Sequence, residues 1–244
     1  MYTATQARSR NRILAALPDE EYARLLPHLE QVSVELSEIL FRPDDVLRYV
    51  YFPETCIISL LTDLSDGYGI EVGLVGKEGM AGVSIALGSD KEPKVATVQG
   101  AGTLLRLKAS VLRDETRRGG MLQAYLLRYT HALMAQISQS VVCNIRHPIE
   151  GRLARWMLMY HDRVGKDEFK LTHEFIANML GIRRAGVSMV ANKLKRAGLI
   201  DYYRGLIKIL DRQGLEDMTC ECYPVVKAEF DSLYEHAAVP ELLY

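Results

Sequence analysis

The stretch "LTHEFIANMLGIRRAGVSMVANKLKRAGLI", residues 171–200, contains two helical patterns separated by a glycine. Thr172 is a suitable N-cap for the first, because its hydroxyl can accept from a free backbone N–H of the opening turn. Ala177 is small where a second helix must cross closely. Gly181 can take the left-handed conformation of a tight turn. Ile176, Leu180, Val187, Val190 and Leu194 then recur at helical spacing and form one shared apolar face. Gly198 closes the second helix as a C-cap, with Lys195 and Arg196 in the last turn, where they also favour the helix dipole. The pattern predicts a helix, a sharp turn and a second, amphipathic helix.

With Val187, Val190 and Leu194 inward, Arg183, Arg184, Ser188, Asn192 and Lys195 point outward, and no carboxylate interrupts that row. Arginine near the start of such a helix can bond guanine O6 and N7 in a bidentate manner, and Ser188 can serve bases or phosphates. Lys193, Lys195, Arg196 and, further on, Arg204 and Lys208 suit phosphates, which position a protein without reading sequence. A charge run alone describes a solvated helix on any three-helix bundle. Here the cap, the small crossing residue and the two glycines occur together, and a hairpin pattern, "LIDYY" and "LIKIL" joined through Arg204-Gly205, follows. A further helical segment, "IEGRLARWMLMYHDRVG", precedes them. Three helices and a hairpin in this order describe a winged helix-turn-helix with double-stranded DNA as its partner.

Charge supports the division. From Arg146 to Arg212 there are 14 Lys and Arg against 7 Asp and Glu, whereas the rest of the chain carries 16 against 24. A basic module tied to an acidic one suits a protein that approaches phosphates with one end. The acidic part opens with short helical patterns limited by Pro18 and Pro27. From about Val32 to Leu112 it becomes short β-branched runs, "VSVEL", "VYFPETCIISLLT", "IEVGLVG", "VATVQ" and "TLLRLK", which read as an antiparallel roll. Asp66-Gly67 is the clearest hairpin turn. The glycine-rich "GLVGKEGMAG" lacks the strand-to-helix setting of a nucleotide fingerprint and reads as a turn between strands.

After Gly119-Gly120 a helix of about 24 residues, roughly 36 Å long, runs toward Pro148. Leu122, Leu126, Tyr129, Leu133, Ile137 and Val141 form one stripe, and Met121, Tyr125, Ala132 and Ala135 a second. Two apolar faces require two partners, so one is expected on the roll and the other on a twin helix in a homodimer. The fold class is α+β, with domains at 1–118 (roll and N-terminal helices), 119–146 (dimerisation helix) and 147–244 (winged helix with a C-terminal extension).

At 244 residues, 48% hydrophobic and 25% charged, the chain has ordinary globular composition, and no apolar run approaches the roughly 18 residues of a membrane span. The basic N-terminus never passes into an export signal, which points to the cytoplasm. Cys56, Cys143, Cys220 and Cys222 are too few and irregular for a disulfide framework and read as reduced thiols, Cys143 as packing. Two thiols in "CECY" fill half of a zinc site, so no metal is expected. A cupin-like metalloenzyme is the rival reading for the roll, but none of the six histidines falls between Val32 and Leu112. There is no GxSxG elbow or P-loop, and catalysis is not expected. A third reading uses the winged helix as a surface for a protein partner.

The order of roll, long helix and winged helix, with residues 171–200 in their place and the roll segments "VYFPETCIISLL" and "EVGLVGKEGMAGVSIALG", resembles the Crp/Fnr family of bacterial transcription regulators over nearly the whole chain. The resemblance is to a subgroup with divergent sensor domains and a cyclic-nucleotide-binding-like roll. It implies a homodimer on a two-fold symmetric operator, RNA polymerase as a protein partner, and a small-molecule effector of unknown identity. Arg184 matches the arginine the family uses on a guanine, while Ala185 and Met189 replace other base-contacting residues. Cyclic-nucleotide-binding relatives hold ribose with a glutamate after a glycine and phosphate with an arginine further on. Here Gly82 is followed by Val83, and Lys94, near Thr97, stands close to the arginine position. That pocket lacks the carboxylate and the bidentate fork, which argues against cyclic nucleotide binding. No cysteine precedes Cys56, so the iron-sulfur switch of the oxygen-sensing branch is not implied.

Overall fold

Asn11 caps α1 (Arg12–Ala15), its side-chain oxygen accepting from Leu14 N at 3.3 Å. The same buried amide donates to Pro53 O at 3.0 Å and Gly79 O at 2.8 Å, so one residue starts a helix and ties it to a strand end and a loop of the roll. The computed structural model describes residues 8–63 and 69–235; the expected Asp66-Gly67 turn lies outside them. After α2 (Asp19–Leu25) come β1 (Glu30–Val34), β2 (Ile39–Phe41), β3 (Tyr49–Pro53), β4 (Ile57–Asp63), β5 (Gly69–Val75), β6 (Val95–Gly100) and β7 (Gly102–Lys108). They form two antiparallel sheets, β1-β7-β3 and β2-β6-β4-β5. Val50, Phe52, Ile58, Leu74, Val98, Leu104 and Leu107 are buried in the roll. Of these strands only β2 escapes the sequence pattern, since three residues cannot display an alternation.

α3 (Ala109–Arg118) ends at Gly119 and Gly120, whose φ values of +80° and +98° suit glycine. The long helix α4 (Met121–Arg146) follows. No residue next to it in sequence supplies its cap. The carboxylate of Glu21, in α2, accepts from Met121 N and Leu122 N at 2.9 Å each, placing a negative charge at the positive end of the helix.

The partners of α4 differ from the sequence expectation. Leu122, Leu126, Tyr129 and Leu133, the first stripe of the expected dimerisation helix, are buried in the chain's own core, and Ile137 is partly buried against it. The second stripe is largely covered too, with Met121, Tyr125 and Ala132 buried. Both faces are used internally because the C-terminal extension returns to cover α4. A third line remains open: Leu127, Met134, Val141 and Ile145 are 41%, 63%, 51% and 75% exposed. Of the residues in the first stripe, Val141 lies on it.

Beyond Pro148 lie α5 (Ile149–Val164), β8 (Glu168–Lys170), α6 (His173–Leu180), α7 (Arg184–Arg196), β9 (Ile200–Tyr203) and β10 (Leu206–Ile209). The hairpin gains a third strand, in the order β8-β10-β9. α8 (Arg212–Met218) packs on α5, and α9 (Cys222–Asp231) returns to α4. Phe230 meets Tyr129 and Tyr234 meets Tyr125, with ring centroids 6.3 and 5.6 Å apart, and the Tyr234 hydroxyl donates to Glu78 O at 2.7 Å.

The roll and the basic module share a polar seam. Trp156 of α5 donates from Nε1 to Glu71 of β5 at 2.8 Å, and Ser59 hydrogen-bonds the same carboxyl. Burial pushes Glu71 up to about 7, against the opposing pull of Ser59, Trp156, Arg163 and Arg155. Arg163 pairs with Glu78 at 2.7 Å, both side chains buried, and donates to Gln136 of α4 at 2.7 Å.

Candidate nucleic-acid interface

The turn between α6 and α7 is built as its residues require. Thr172 Oγ accepts from Phe175 N at 3.2 Å. Gly181 has φ +61°, with Gly181 N bonded to Asn178 O and Ile182 N to Ala177 O, so the last carbonyls of α6 are satisfied. Arg152 of α5 donates to Leu180 O at the same end. α7 ends alike: Gly198 is at φ +74°, with Gly198 N on Lys195 O and Leu199 N on Leu194 O, both 3.0 Å. Ile176, Leu180, Val187, Val190 and Leu194 are all buried, and Ala177 is buried in the same core.

Arg183, the N-cap residue of α7, is exposed, as are Arg184, Asn192, Lys193, Lys195 and Arg196. Carboxylates from neighbouring elements reach several of them, which the helix's own sequence could not show. Arg184 lies 3.9 Å from Glu174, Lys193 3.2 Å from Glu150, Lys195 2.5 Å from Asp201 and Lys208 3.0 Å from Glu168. All are surface pairs, worth about 0–1 kcal/mol each, so a phosphate or base can displace them.

Ser188 is half-buried, and its hydroxyl bonds His173 Nδ1 at 2.9 Å; the His173 ring stacks on Tyr202 at 4.0 Å. Burial and the neighbouring Arg184 hold His173 below the usual histidine range. Ser188, which the sequence reading offered to bases or phosphates, joins α6, α7 and the hairpin in this conformation. The hairpin turn places Arg204 and Gly205 at φ +48° and +80°, the sign a two-residue turn between twisted strands requires at both positions. Arg204 is exposed, with its guanidinium 5.1 Å from the Tyr203 ring centroid.

In the roll, Gly82 is at φ +92° and Val83 is buried, while Thr97, on β6, is buried with its hydroxyl donating to Glu38 O at 3.3 Å. Lys94 is half-buried and pairs with Glu92 at 3.1 Å. A separate cleft of about 860 Å³ lies between the roll and the basic module, lined among others by Arg10, Lys77, Gln99, Tyr160 and Lys170. None of the four expected pocket residues lines it.

Cys143, expected to be packing alone, is not isolated. The fold brings it and His147 to Cys220 and Cys222, a convergence that no sequence spacing displays. Among the described residues, no helix is long and apolar enough to cross a membrane.

Residues 151–218 match the Crp-like helix-turn-helix domain, which spans α5 to α8. No curated protein matches the chain. Among similar solved structures, FixK2 from Bradyrhizobium japonicum is 18% identical with a TM-score of 0.69, over 79% of this chain and 98% of its own. A Crp/Fnr-family transcriptional regulator from Thermus thermophilus is 22% identical with a TM-score of 0.59, over 78% and 97%. A CooA mutant from Carboxydothermus hydrogenoformans is 15% identical with a TM-score of 0.63, over 86% and 96%. Roll, long helix and basic module occur in the same order and arrangement, so the chain carries a Crp-like helix-turn-helix domain within the fold of Crp/Fnr-family transcriptional regulators.

Proposed function

We propose that the protein is a homodimeric, sequence-specific transcription regulator that reads a two-fold symmetric operator with α7. The observation that carries this reading is the exposed row Arg183, Arg184, Asn192 and Arg196 on a helix with no carboxylate of its own, presented beside a wing that carries Arg204 and Lys208. Arg184 is the base-reading residue, because it sits at the N-terminal end of α7 and its pair with Glu174 is weak. Lys193, Lys195, Arg196, Arg204 and Lys208 serve phosphates, and Thr172 orients the start of α6 against the backbone.

The dimer is expected along the open seam of α4. Leu127, Met134 and Val141 are seven residues apart, and His131, Ser138 and Ile145 form the alternate positions of the same repeat. A seam with that spacing suits a coiled coil with a second copy. Two such protomers bring two α7 helices to successive major grooves, about 34 Å apart.

The roll is proposed not to hold a cyclic nucleotide. Val83 offers no carboxylate to a ribose, and Lys94, near the family's arginine position, is paired with Glu92. Enzymatic activity forms no part of this reading, and RNA polymerase is its expected protein partner.

Selection of bound sequences from a random duplex library, with the purified full-length protein, tests the reading. A two-fold symmetric motif with half-sites about one helical turn apart is the expected result. Binding that is salt-sensitive but enriches no motif, with Arg184→Ala equally affected on all duplexes, would refute sequence-specific readout.

A further inference from the structure

Where α4 hands over to the basic module, four side chains with soft or borderline donor atoms converge. Cys143 lies in the last turn of α4 and His147 is its C-cap residue, so the two stand four residues apart on one face. Cys220 lies between α8 and α9, and Cys222 is the first residue of α9. Their four ligand atoms all lie within 4.8 Å of one another. Cys143 Sγ is 3.5 Å from Cys220 Sγ, and Cys222 Sγ is 3.6 Å from His147 Nδ1. Tetrahedral zinc with Zn–S bonds of about 2.3 Å has S–S edges of roughly 3.8 Å, so these spacings already approach those of a filled site.

We propose that Cys143, His147, Cys220 and Cys222 form a structural zinc(II) site that clasps the end of α4 to the start of α9. The donor set selects the metal: three thiolates and one imidazole in tetrahedral array suit zinc rather than the oxygen-preferring cations. Four protein ligands also leave no position for water or substrate, so the site is structural.

The surroundings fit the charge and the tautomer. His147 presents Nδ1 to the sulfurs while its Nε2 lies 3.3 Å from the Glu221 carboxylate, the outer partner that orients a metal-bound imidazole. Three thiolates and Zn²⁺ carry a net charge of −1. Arg155, buried against Cys143 and donating to Ser140 Oγ at 2.9 Å, supplies the balancing charge. Binding requires no oxidant or reductant: the three thiols lose their protons to solvent as the Zn–S bonds form.

The experiment uses the full-length protein, purified under reducing conditions, with zinc measured by mass spectrometry. The metal-free protein is then titrated with cobalt(II) alone. One zinc per chain and the intense visible bands of tetrahedral, thiolate-bound cobalt are expected, together with a lower melting temperature after chelation. His147→Gln and the half-exposed Cys220→Ser should each lose most of the bound zinc and alter the cobalt spectrum, with far-UV circular dichroism confirming that each variant is folded. Absence of both stoichiometric zinc and a tetrahedral cobalt spectrum in the wild-type protein would overturn the site. So would a cobalt spectrum unchanged in folded Cys220→Ser, or a Cys143–Cys220 disulfide in place of metal under anaerobic purification.

Discussion

Arg184 and Lys195 both bear a cation on one helix, yet their surroundings give them different tasks. Arg184 is held by a long, exposed contact to Glu174, whereas Lys195 is paired with Asp201 and donates to Tyr202 O at 3.3 Å, facing the hairpin. Arg184→Ala should therefore cost about 1–3 kcal/mol at the selected operator and little on random duplex, measured by fluorescence anisotropy. Lys195→Ala should weaken all duplexes alike and reduce the salt slope; a loss confined to one operator would reverse the two roles. Glu71 is decisive in another way. Its carboxyl is pushed up to about 7 by burial, from about 4.5 in the ordinary state. The native protein therefore binds more protons than the unfolded one between those values. Unfolding free energy should fall as pH rises from about 4.5 to about 7, by on the order of 3 kcal/mol, then flatten. Denaturant midpoints should show this slope in the wild-type protein and its loss in Glu71→Gln; an identical slope in the variant would assign it to other groups.

Among the elements, α4 shows why pattern and partner are different questions. Its periodicity is plain in the sequence, but three apolar lines run along it, and nothing local says which is covered by the roll, which by α9 and which by neither. Burial of Leu122 and Tyr129 on the first line and of Met121 and Tyr125 on the second shows that the chain itself covers both. Placing a charge on the remaining line, as in Val141→Asp, should shift sedimentation toward the single-chain mass of 27.5 kDa without loss of helicity. Val141→Asp sedimenting as the wild type does would remove the seam as the dimer contact. The start of α4 carries a second lesson. Glu21 lies 100 residues from the backbone N–H of Met121 that it caps, beyond any capping pattern. Glu21→Ala should cost about 1 kcal/mol in denaturation, with a midpoint equal to wild type counting against the cap. By contrast α6, α7 and the hairpin are legible nearly to the residue, because their caps, turns and core positions are all local. β8 is not, since three residues show no alternation and its pairing with β10 is formed at a distance.

At the scale of the molecule, the chain enters the basic module at His147–Pro148 and leaves it at Thr219–Cys220, and the two crossings are neighbours: a Cβ at Gly151 would lie 3.7 Å from Cys220 N. α9 then rejoins α4, the helix from which the module departed. Residues 149–218 are thus nested within a body made of the roll, α4 and α9, in the manner of a domain insertion rather than of a tail at the end of a chain. Domains whose two ends lie close together can be removed or transplanted without straining their host. Replacing 149–218 with a short linker should abolish DNA affinity and leave self-association through α4, with a lower melting temperature because Glu71, Glu78 and Gln136 lose Trp156 and Arg163, checked by anisotropy, sedimentation and circular dichroism. The same nesting sets both crossings beside the end of α4, so a displacement of that end bears on the entry and the exit of the module at once.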